Sequence, residues 1–154
     1  MVYTDGSAKA GRERGGSAAV ITLGEVVHPE KNHVICKKGA AYTSSYEEES
    51  QALGDALAWI AENCGHGCRV VICTDSQSLC KALEECSEDV DNLRVDISGC
   101  KAEVCIQWVP GHSNIPDNDM ADEEAKCATE EEGPGRAVSL KGIKPIINSM
   151  IKDG

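Results

Sequence analysis

The sequence lacks both a membrane-spanning segment and a secretory leader. None of its apolar runs approaches the about 20 residues that a membrane-spanning helix needs. No basic start followed by an apolar stretch indicates a signal peptide. We therefore expect no association with a membrane.

Basic residues are also scarce. The chain of 154 residues has 15 lysines and arginines against 26 aspartates and glutamates, a formal net charge of −11. Surfaces that bind nucleic acid are normally basic, because neutralising phosphates supplies most of the affinity. The charge therefore argues against strong nucleic-acid binding by this chain alone, although bound divalent cations would ease the repulsion locally.

Cysteines are numerous, but the pattern of a disulfide framework is absent. The nine cysteines are an odd number and several occupy apolar positions of periodic segments, which favours a reducing, intracellular location in the cytoplasm or nucleus. Cys64 and Cys68 flank His66 with a spacing that metal ligands can have, but no second ligand pair follows. A glycine-rich turn between a helix and a strand explains this segment better than zinc does.

The length and composition fit one globular domain. A chain of this size buries roughly 70% of its unfolded surface, and 41% hydrophobic and 27% charged residues are ordinary values. The first residues already read as a strand, so we expect a domain that belongs to a longer polypeptide.

The most informative stretch lies between positions 69 and 78. The four apolar residues 70–73 are too few for a helix and indicate a strand buried on both faces. Asp75 follows where this strand ends, and Ser76 fits a helix N-cap. The helix after it has one apolar face, formed by Leu79, Cys80 and Leu83. The sequence thus predicts a strand, an aspartate, a cap and a helix in direct succession.

The same order begins the chain, where residues 1–4 read as a strand that runs into Asp5. If the two strands are neighbours, Asp5 and Asp75 emerge at one edge of the sheet. Like charges at short range repel, so a divalent cation between them would stabilise the arrangement. Turn or cap chemistry remains the alternative for either aspartate alone.

Two further acids belong to this group. A helix opened by Ser44 and Ser45 has its apolar face at Ala52, Leu53, Ala56, Leu57 and Ile60. Glu49 falls on that inward face, whereas Glu48 aligns with the polar side at Gln51 and Asp55. In the last core helix, which we expect to begin near Asp117, Asp122 flanks the apolar side. Glu49 and Asp122 can therefore approach the sheet edge where the two aspartates lie.

The element order predicts an α/β fold with a mixed five-stranded sheet. Three strands precede the Glu49 helix. The strand at 70–73, two helices that begin at Ser76 and Ser87, a strand at residues 104–109, a loop at 110–116 and the last helix follow it. We expect an antiparallel hairpin first, parallel crossovers after it and helices on both faces.

Five segments of this sequence resemble the ribonuclease H family in order and spacing, over residues 1 to about 128. They are Tyr-Thr-Asp5-Gly-Ser, the Glu49 helix ending Ala-Leu57, Thr-Asp75-Ser-Gln, Trp-Val-Pro-Gly-His112, and Asn118 with Asp122. The phrase at residues 108–116 is most similar to the ribonuclease H domain of reverse transcriptases from non-LTR retrotransposons.

The resemblance implies an endonuclease that cuts the RNA strand of an RNA/DNA hybrid and leaves a 5′-phosphate and a 3′-hydroxyl. Two Mg²⁺ ions, or Mn²⁺ in their place, would lie about 4 Å apart and activate the water and stabilise the leaving oxygen. Their ligands would be Asp5, Glu49, Asp75 and Asp122. His112 would assist proton transfer or product release.

The resemblance also implies substrate contacts in the minor groove, where 2′-hydroxyls mark the RNA strand. Gln77 matches the groove-contacting glutamine of the family, and the backbone at Gly6 and Ser7 would approach the scissile strand. Ser45 lies on the loop before the catalytic helix, and Asn118 belongs to the motif that ends at Asp122.

We expect a catalytic domain at residues 1–130, followed at 131–154 by a linker and an amphipathic helix that docks on this domain or on a neighbour. The family's basic, tryptophan-bearing segment is missing between the helices that begin at Ser76 and Ser87. Hybrid affinity is therefore expected to come from the reverse transcriptase domain of the same polyprotein, with the isolated domain monomeric. The alternatives are a catalytically degenerate spacer domain of a reverse transcriptase and a DNA-cutting integrase or resolvase.

Overall fold

The computed structural model describes residues 1–9, 14–22, 33–111, 114–131 and 135. Within these ranges lie the strands β1 (Val2–Lys9), β2 (Arg14–Ile21), β3 (His33–Lys38), β4 (Arg69–Thr74) and β5 (Glu103–Trp108). The helices are α1 (Ser45–Asn63), α2 (Gln77–Glu84), α3 (Asp91–Gly99), preceded by a 3₁₀ turn at Glu88–Val90, and α4 (Pro116–Ala128). The predicted loop histidine, His112, and the predicted helix after residue 135 lie outside the described residues.

The strands form one sheet in the order β3-β2-β1-β4-β5. The first three strands pair antiparallel, and β4 pairs parallel with both β1 and β5. α1 connects β3 to β4, and α2 and α3 connect β4 to β5, as the parallel direction of β4 and its neighbours requires. The predicted mixed α/β sheet is confirmed.

Helices cover both faces of the sheet. On one face, the apolar side of α1, represented by Leu53 and Leu57, packs with Ile21 and Ile72. Full burial of each such side chain stabilises the fold by about 1.5–3 kcal/mol. On the other face, Ala121 of α4 packs into a smaller cluster formed with Tyr3, Val20 and Cys73. This two-sided packing holds the central strands β1 and β4 rigidly in place.

Strand β1 differs from the sequence prediction, because it does not end at Asp5. It continues to Lys9, since β2 pairs with it along its whole length, from Val2 with Ile21 to Lys9 with Arg14. The parallel pairing with β4 ends with Thr4 opposite Thr74. Asp5 therefore lies inside a strand, at the point where the neighbouring strand β4 departs.

All nine cysteines are free thiols. Cys64 ends α1, and a turn follows in which the Cys68 amide donates to the Gly65 carbonyl. Gly67 has a φ of +90°, which an L side chain rarely adopts. The segment is thus the predicted glycine-rich turn. No helix in the described part of the chain is both long and apolar enough to cross a membrane.

Candidate active site

Three carboxylates meet at the edge of the sheet where β1 and β4 separate. One oxygen each from Asp5, Glu49 and Asp75 lies within 4.8 Å of the others. Asp5 is 5% exposed, and the other two side chains are half-buried. Residues from β1, α1 and the end of β4 thus form one acidic cluster, as the sequence predicted for them.

Gly6 allows α1 to approach β1 closely enough for this meeting. A Cβ at Gly6 would lie 2.8 Å from the Glu48 Cβ and would overlap the backbone amide of Glu49. The Gly6 amide also donates to Asp5 Oδ1 at 2.8 Å. Gly6 is buried, so its structural role is to bring Glu49 beside Asp5 and to orient the aspartate.

The end of β5 and the residues directly after it hold Asp75 in position. The indole Nε1 of Trp108 donates to the Asp75 carbonyl at 3.3 Å, and the Val109 amide donates to the Thr74 carbonyl at 2.9 Å. A Cβ at Gly111 would lie only 2.9 Å from Asp75 Oδ2. The Trp-Val-Pro-Gly phrase therefore has a physical basis, because it bonds the backbone at Thr74 and Asp75 and its glycine leaves room for the Asp75 carboxylate.

Asp122 lies next to the cluster, but it is not one of the three converging acids. It interacts with Asp5 through a side-chain hydrogen bond, and on its other side it accepts a 2.7 Å hydrogen bond from Lys126. The pair is one turn apart on α4, where oppositely charged side chains meet. The fourth predicted acid is thus near the site and already has a cationic partner.

Two carboxyl groups of this cluster, those of Asp5 and Glu49, have raised pKa values. Burial, followed by the negative charge of Asp75, raises the pKa of Asp5 to about 8, although the Gly6 amide opposes the shift. Burial also raises the pKa of Glu49 to about 7, again with a contribution from Asp75. The carboxylates therefore resist carrying their full negative charge unless a cation compensates it.

Ser76 is a site residue that sequence reasoning did not assign to the site. Its Oγ accepts from the Leu79 amide at 3.1 Å and so caps α2, as predicted. Its hydroxyl also donates to Glu49, which lowers the pKa of that carboxyl against the effect of burial. The serine was recognisable as a cap, but its link to a helix earlier in the chain requires the fold.

The remaining predicted site residues have different surroundings. Ser45 and Gln77 are exposed at the first positions of α1 and α2, and Ser7 is half-buried in β1. Asn118 is only 1% exposed, and its Oδ1 has no hydrogen-bond partner among the described residues. Asn118 therefore lies inside the described structure, and its predicted contact with substrate stays a prediction.

Glu48 also departs from the sequence prediction. The helical pattern assigns it to the polar side of α1, yet it is 0% exposed. Its Oε1 accepts from the Ala40 amide at 3.3 Å. The pattern misplaces it because the sheet opposite is lined by glycines, which leave room for a longer side chain.

An acidic cleft of about 510 Å³ runs between α1 and α3. The Tyr46 hydroxyl in its wall donates to Asp89 at 2.7 Å, and burial, followed by this hydrogen bond, raises the pKa of Tyr46. The cleft contains none of the three clustered carboxylates, although Glu47 in its lining lies two positions before Glu49 on α1. Its acidic lining consists of Glu47, Asp55, Asp89 and Asp96. A phosphate backbone would be repelled at this cleft.

Comparison with known proteins agrees with this geometry. The family model described as RNase H matches residues 1–130. The chain belongs to the RNase H family. The predicted enzyme class, ribonuclease H, is thereby confirmed. The three acids of the cluster all lie within the matched residues.

Two curated members of the RNase H family are similar over nearly the whole chain. A ribonuclease H of Hahella chejuensis is 29% identical over 147 residues, which cover 84% of this chain and 93% of that protein. A ribonuclease H of Phenylobacterium zucineum is 28% identical over 154 residues, covering 89% and 94%.

Solved structures of RNase H1 proteins share the fold. RNase H1 from the halophilic archaeon Halobacterium salinarum has a TM-score of 0.63 at 20% identity, covering 82% of this chain and 94% of that one. LC11-RNase H1, solved in complex with an RNA/DNA hybrid, has a TM-score of 0.61 at 17% identity, covering 84% and 95%.

Proposed function

We propose that this chain hydrolyses the RNA strand of RNA/DNA hybrids with divalent cations bound at Asp5, Glu49 and Asp75. The observation that carries the proposal is the convergence of three carboxylate oxygens within 4.8 Å in a partly buried site. Membership of the RNase H family supports it, and one structural neighbour was solved with a hybrid.

The donor set fits a hard divalent cation. Carboxylate oxygens suit Mg²⁺ and Mn²⁺. Burial, with the negative charge of Asp75, raises the pKa values of Asp5 and Glu49, so a bound cation would be needed to hold them ionised. Asp5 lies in the three-acid cluster and also interacts with Asp122, so these four residues would together hold the cations. Bound ions of this kind supply a water of lowered pKa and stabilise charge on the leaving oxygen.

The protein groups around the ligands prepare them for this task. The Gly6 amide and the Ser76 hydroxyl favour the ionised forms of Asp5 and Glu49. Trp108 and Gly111 fix the direction of Asp75. Asp122 would exchange its bond to Lys126 for a cation. His112 is proposed to assist proton transfer or product release, with products that carry a 5′-phosphate and a 3′-hydroxyl.

Selectivity for the hybrid is proposed to come from the minor groove, where RNA displays its 2′-hydroxyls. Ser45 and Gln77 lie exposed at the starts of α1 and α2. Helix α1 carries Glu49, and α2 begins two residues after Asp75. Both can donate and accept hydrogen bonds with a hydroxyl. The backbone at Gly6 and Ser7 is proposed to face the scissile strand.

We further propose that the domain works beside a basic partner, the reverse transcriptase domain of the same polyprotein, in a reducing intracellular compartment. The net charge of −11, the acidic cleft and the free thiols support this. Hybrid affinity would be compared between this chain and a longer polypeptide that includes the partner. Equal affinities at equal salt would contradict the proposal.

The test of the activity uses one labelled RNA strand in three forms: paired with DNA, paired with RNA, and single-stranded, alongside a DNA duplex. Mg²⁺-dependent cleavage of the hybrid alone is expected, and Asp75→Asn should abolish it. Asp91→Asn, at an exposed helix start, serves as the matched control and should cleave normally. Folded wild-type protein that cuts nothing would favour the catalytically degenerate spacer domain.

A further inference from the structure

Glu48 is a fully buried glutamate that the three-carboxylate cluster does not include. Glutamate side chains are almost never fully buried unless they are paired, because their removal from water is costly. Glu48 directly precedes Glu49 in the first turn of α1. Its burial at this position therefore requires an explanation.

The space for Glu48 is created by Gly15 on β2 and Gly39 directly after β3. A Cβ at Gly15 would lie 2.6 Å from Glu48 Oε1, and a Cβ at Gly39 would overlap the carboxylate. These glycines belong together, because the Gly39 amide donates to the Gly15 carbonyl at 2.8 Å. The Gly15 amide in turn bonds Ala40, whose own amide donates to Glu48 Oε1 at 3.3 Å. The side chain thus fills a socket made by β2 and the end of β3.

The same turn of α1 also contacts the strand that carries Asp5. The Cα of Gly6 faces the junction between Glu48 and Glu49, with no room for a Cβ. Successive helical residues differ by about 100° in direction, as 3.6 residues per turn imply. Glu48 thus anchors the helix to β2 and β3 while Glu49 faces Asp5 and Asp75. Because Glu48 and Glu49 both point inward but in different directions, together they fix the rotation of α1 about its own axis.

We propose that Glu48 is a positioning residue, whose buried carboxyl locks the first turn of α1 onto the sheet so that Glu49 reaches Asp5 and Asp75. The inference rests on the proposed function of that cluster. Metal-site ligands must be held to within about 0.5 Å of their productive geometry, so a helix that is free to rotate would separate the ligands.

Two substitutions of Glu48 separate its shape from its charge. Glu48→Gln keeps the length of the side chain and an oxygen that accepts from the Ala40 amide, so near wild-type behaviour is expected. Glu48→Ala leaves the socket empty. We expect kcat to fall by about tenfold to a hundredfold, the range that small misplacements cause. The KM for the hybrid should not change, because a buried side chain does not touch substrate.

A second readout is independent of turnover. Calorimetric titration with Mn²⁺ in the absence of hybrid should show weaker binding to Glu48→Ala than to wild type, with Glu48→Gln restoring it. Folded Glu48→Ala protein with wild-type kcat and Mn²⁺ affinity would overturn the inference. So would a loss of thermal stability alone, because that would make Glu48 a purely structural residue.

A pair of variants decides the question even if Glu48→Ala folds poorly. Gly39→Ala introduces a methyl group where the carboxylate lies, so it should weaken Mn²⁺ binding by displacing Glu48. In the Gly39→Ala/Glu48→Gly double variant the methyl group has room, and the two effects should not add. Additive effects would contradict the inference. Failure of the wild type to cleave hybrid would instead count against the proposed function, while the Mn²⁺ affinities would still test Glu48.

Discussion

The hydroxyl of Ser76 joins two parts of the site, because it caps α2 and donates a hydrogen bond to Glu49. One hydroxyl thereby orients a helix that begins directly after Asp75 and favours the charged form of the neighbouring carboxylate. The stability of α2 and the protonation of the cluster are therefore coupled. This coupling leads to the first prediction.

Ser76→Ala should shift the pH dependence of cleavage to higher pH. Loss of the hydroxyl removes the interaction that lowers the pKa of Glu49, so the carboxyl would ionise later. Loss of the cap should also cost about 1 kcal/mol of unfolding free energy. Ser87→Ala is the control, because Ser87 makes no capping side-chain bond within the described structure. An unchanged pH profile in Ser76→Ala would contradict the assignment.

The metal-free protein should become less stable as pH rises from about 4 to about 8. Folded Asp5 and Glu49 have pKa values of about 8 and 7, against ordinary values of 3.8 and 4.5. In this window the native state holds protons that the unfolded chain has lost. Their contribution to stability is complete below the ordinary values and disappears as pH passes the folded values.

Chemical denaturation at each pH, in EDTA and in Mg²⁺, measures this effect. Mg²⁺ binds the ionised carboxylates, so its stabilisation should grow with pH. In EDTA, Asp75→Asn should lose less stability than wild type across the window, because it removes a charge that raises both pKa values. If the unfolding free energies of the two proteins fell in parallel with pH, the carboxylate cluster would not be the cause of the loss of stability.

Gly111→Ala should reduce activity far more than stability. The added methyl group would lie 2.9 Å from Asp75 Oδ2 and would turn the carboxylate away from its partners. A misplacement of about 1 Å can cost about a hundredfold in rate. Gly65→Ala is the matched control, since a methyl group there would have no described atom within 4 Å. Equal kcat values for the two variants would argue against this role of Gly111.

Neutralising the acidic cleft should strengthen hybrid binding at low salt. Asp96→Asn removes one of the charges that line the cleft. The gain in affinity should vanish at about 1 M salt, where the Debye length is about 3 Å. Glu62→Gln, exposed near the end of α1, serves as the control. A similar gain in both variants would mean that net charge matters and the cleft does not.

Much of this architecture is encoded in local patterns. The apolar run of β4, the cap at Ser76 and the inward face of α1 are readable because each depends on neighbouring residues. They suffice to place Glu49 and Asp75 near one edge of the sheet. The meeting of these acids with Asp5 then follows from the parallel pairing of β1 and β4.

Other features depend on partners that are distant in sequence. The burial of Glu48 could not be predicted from helical periodicity, because the socket is formed by Gly15 on β2 and Gly39 directly after β3. The continuation of β1 past Asp5 depends on β2. The burial of Asn118 likewise could not be predicted from the motif that contains it. In each case tertiary packing decides the outcome.

The most direct test of the central claim is calorimetric titration of the protein with Mg²⁺ and Mn²⁺ at a pH above 8. The account predicts saturable binding to the wild type and its loss in both Asp5→Asn and Asp75→Asn, whereas Asp91→Asn binds like wild type. Undiminished binding in the Asp5 and Asp75 variants would show that the three carboxylates do not form the metal site.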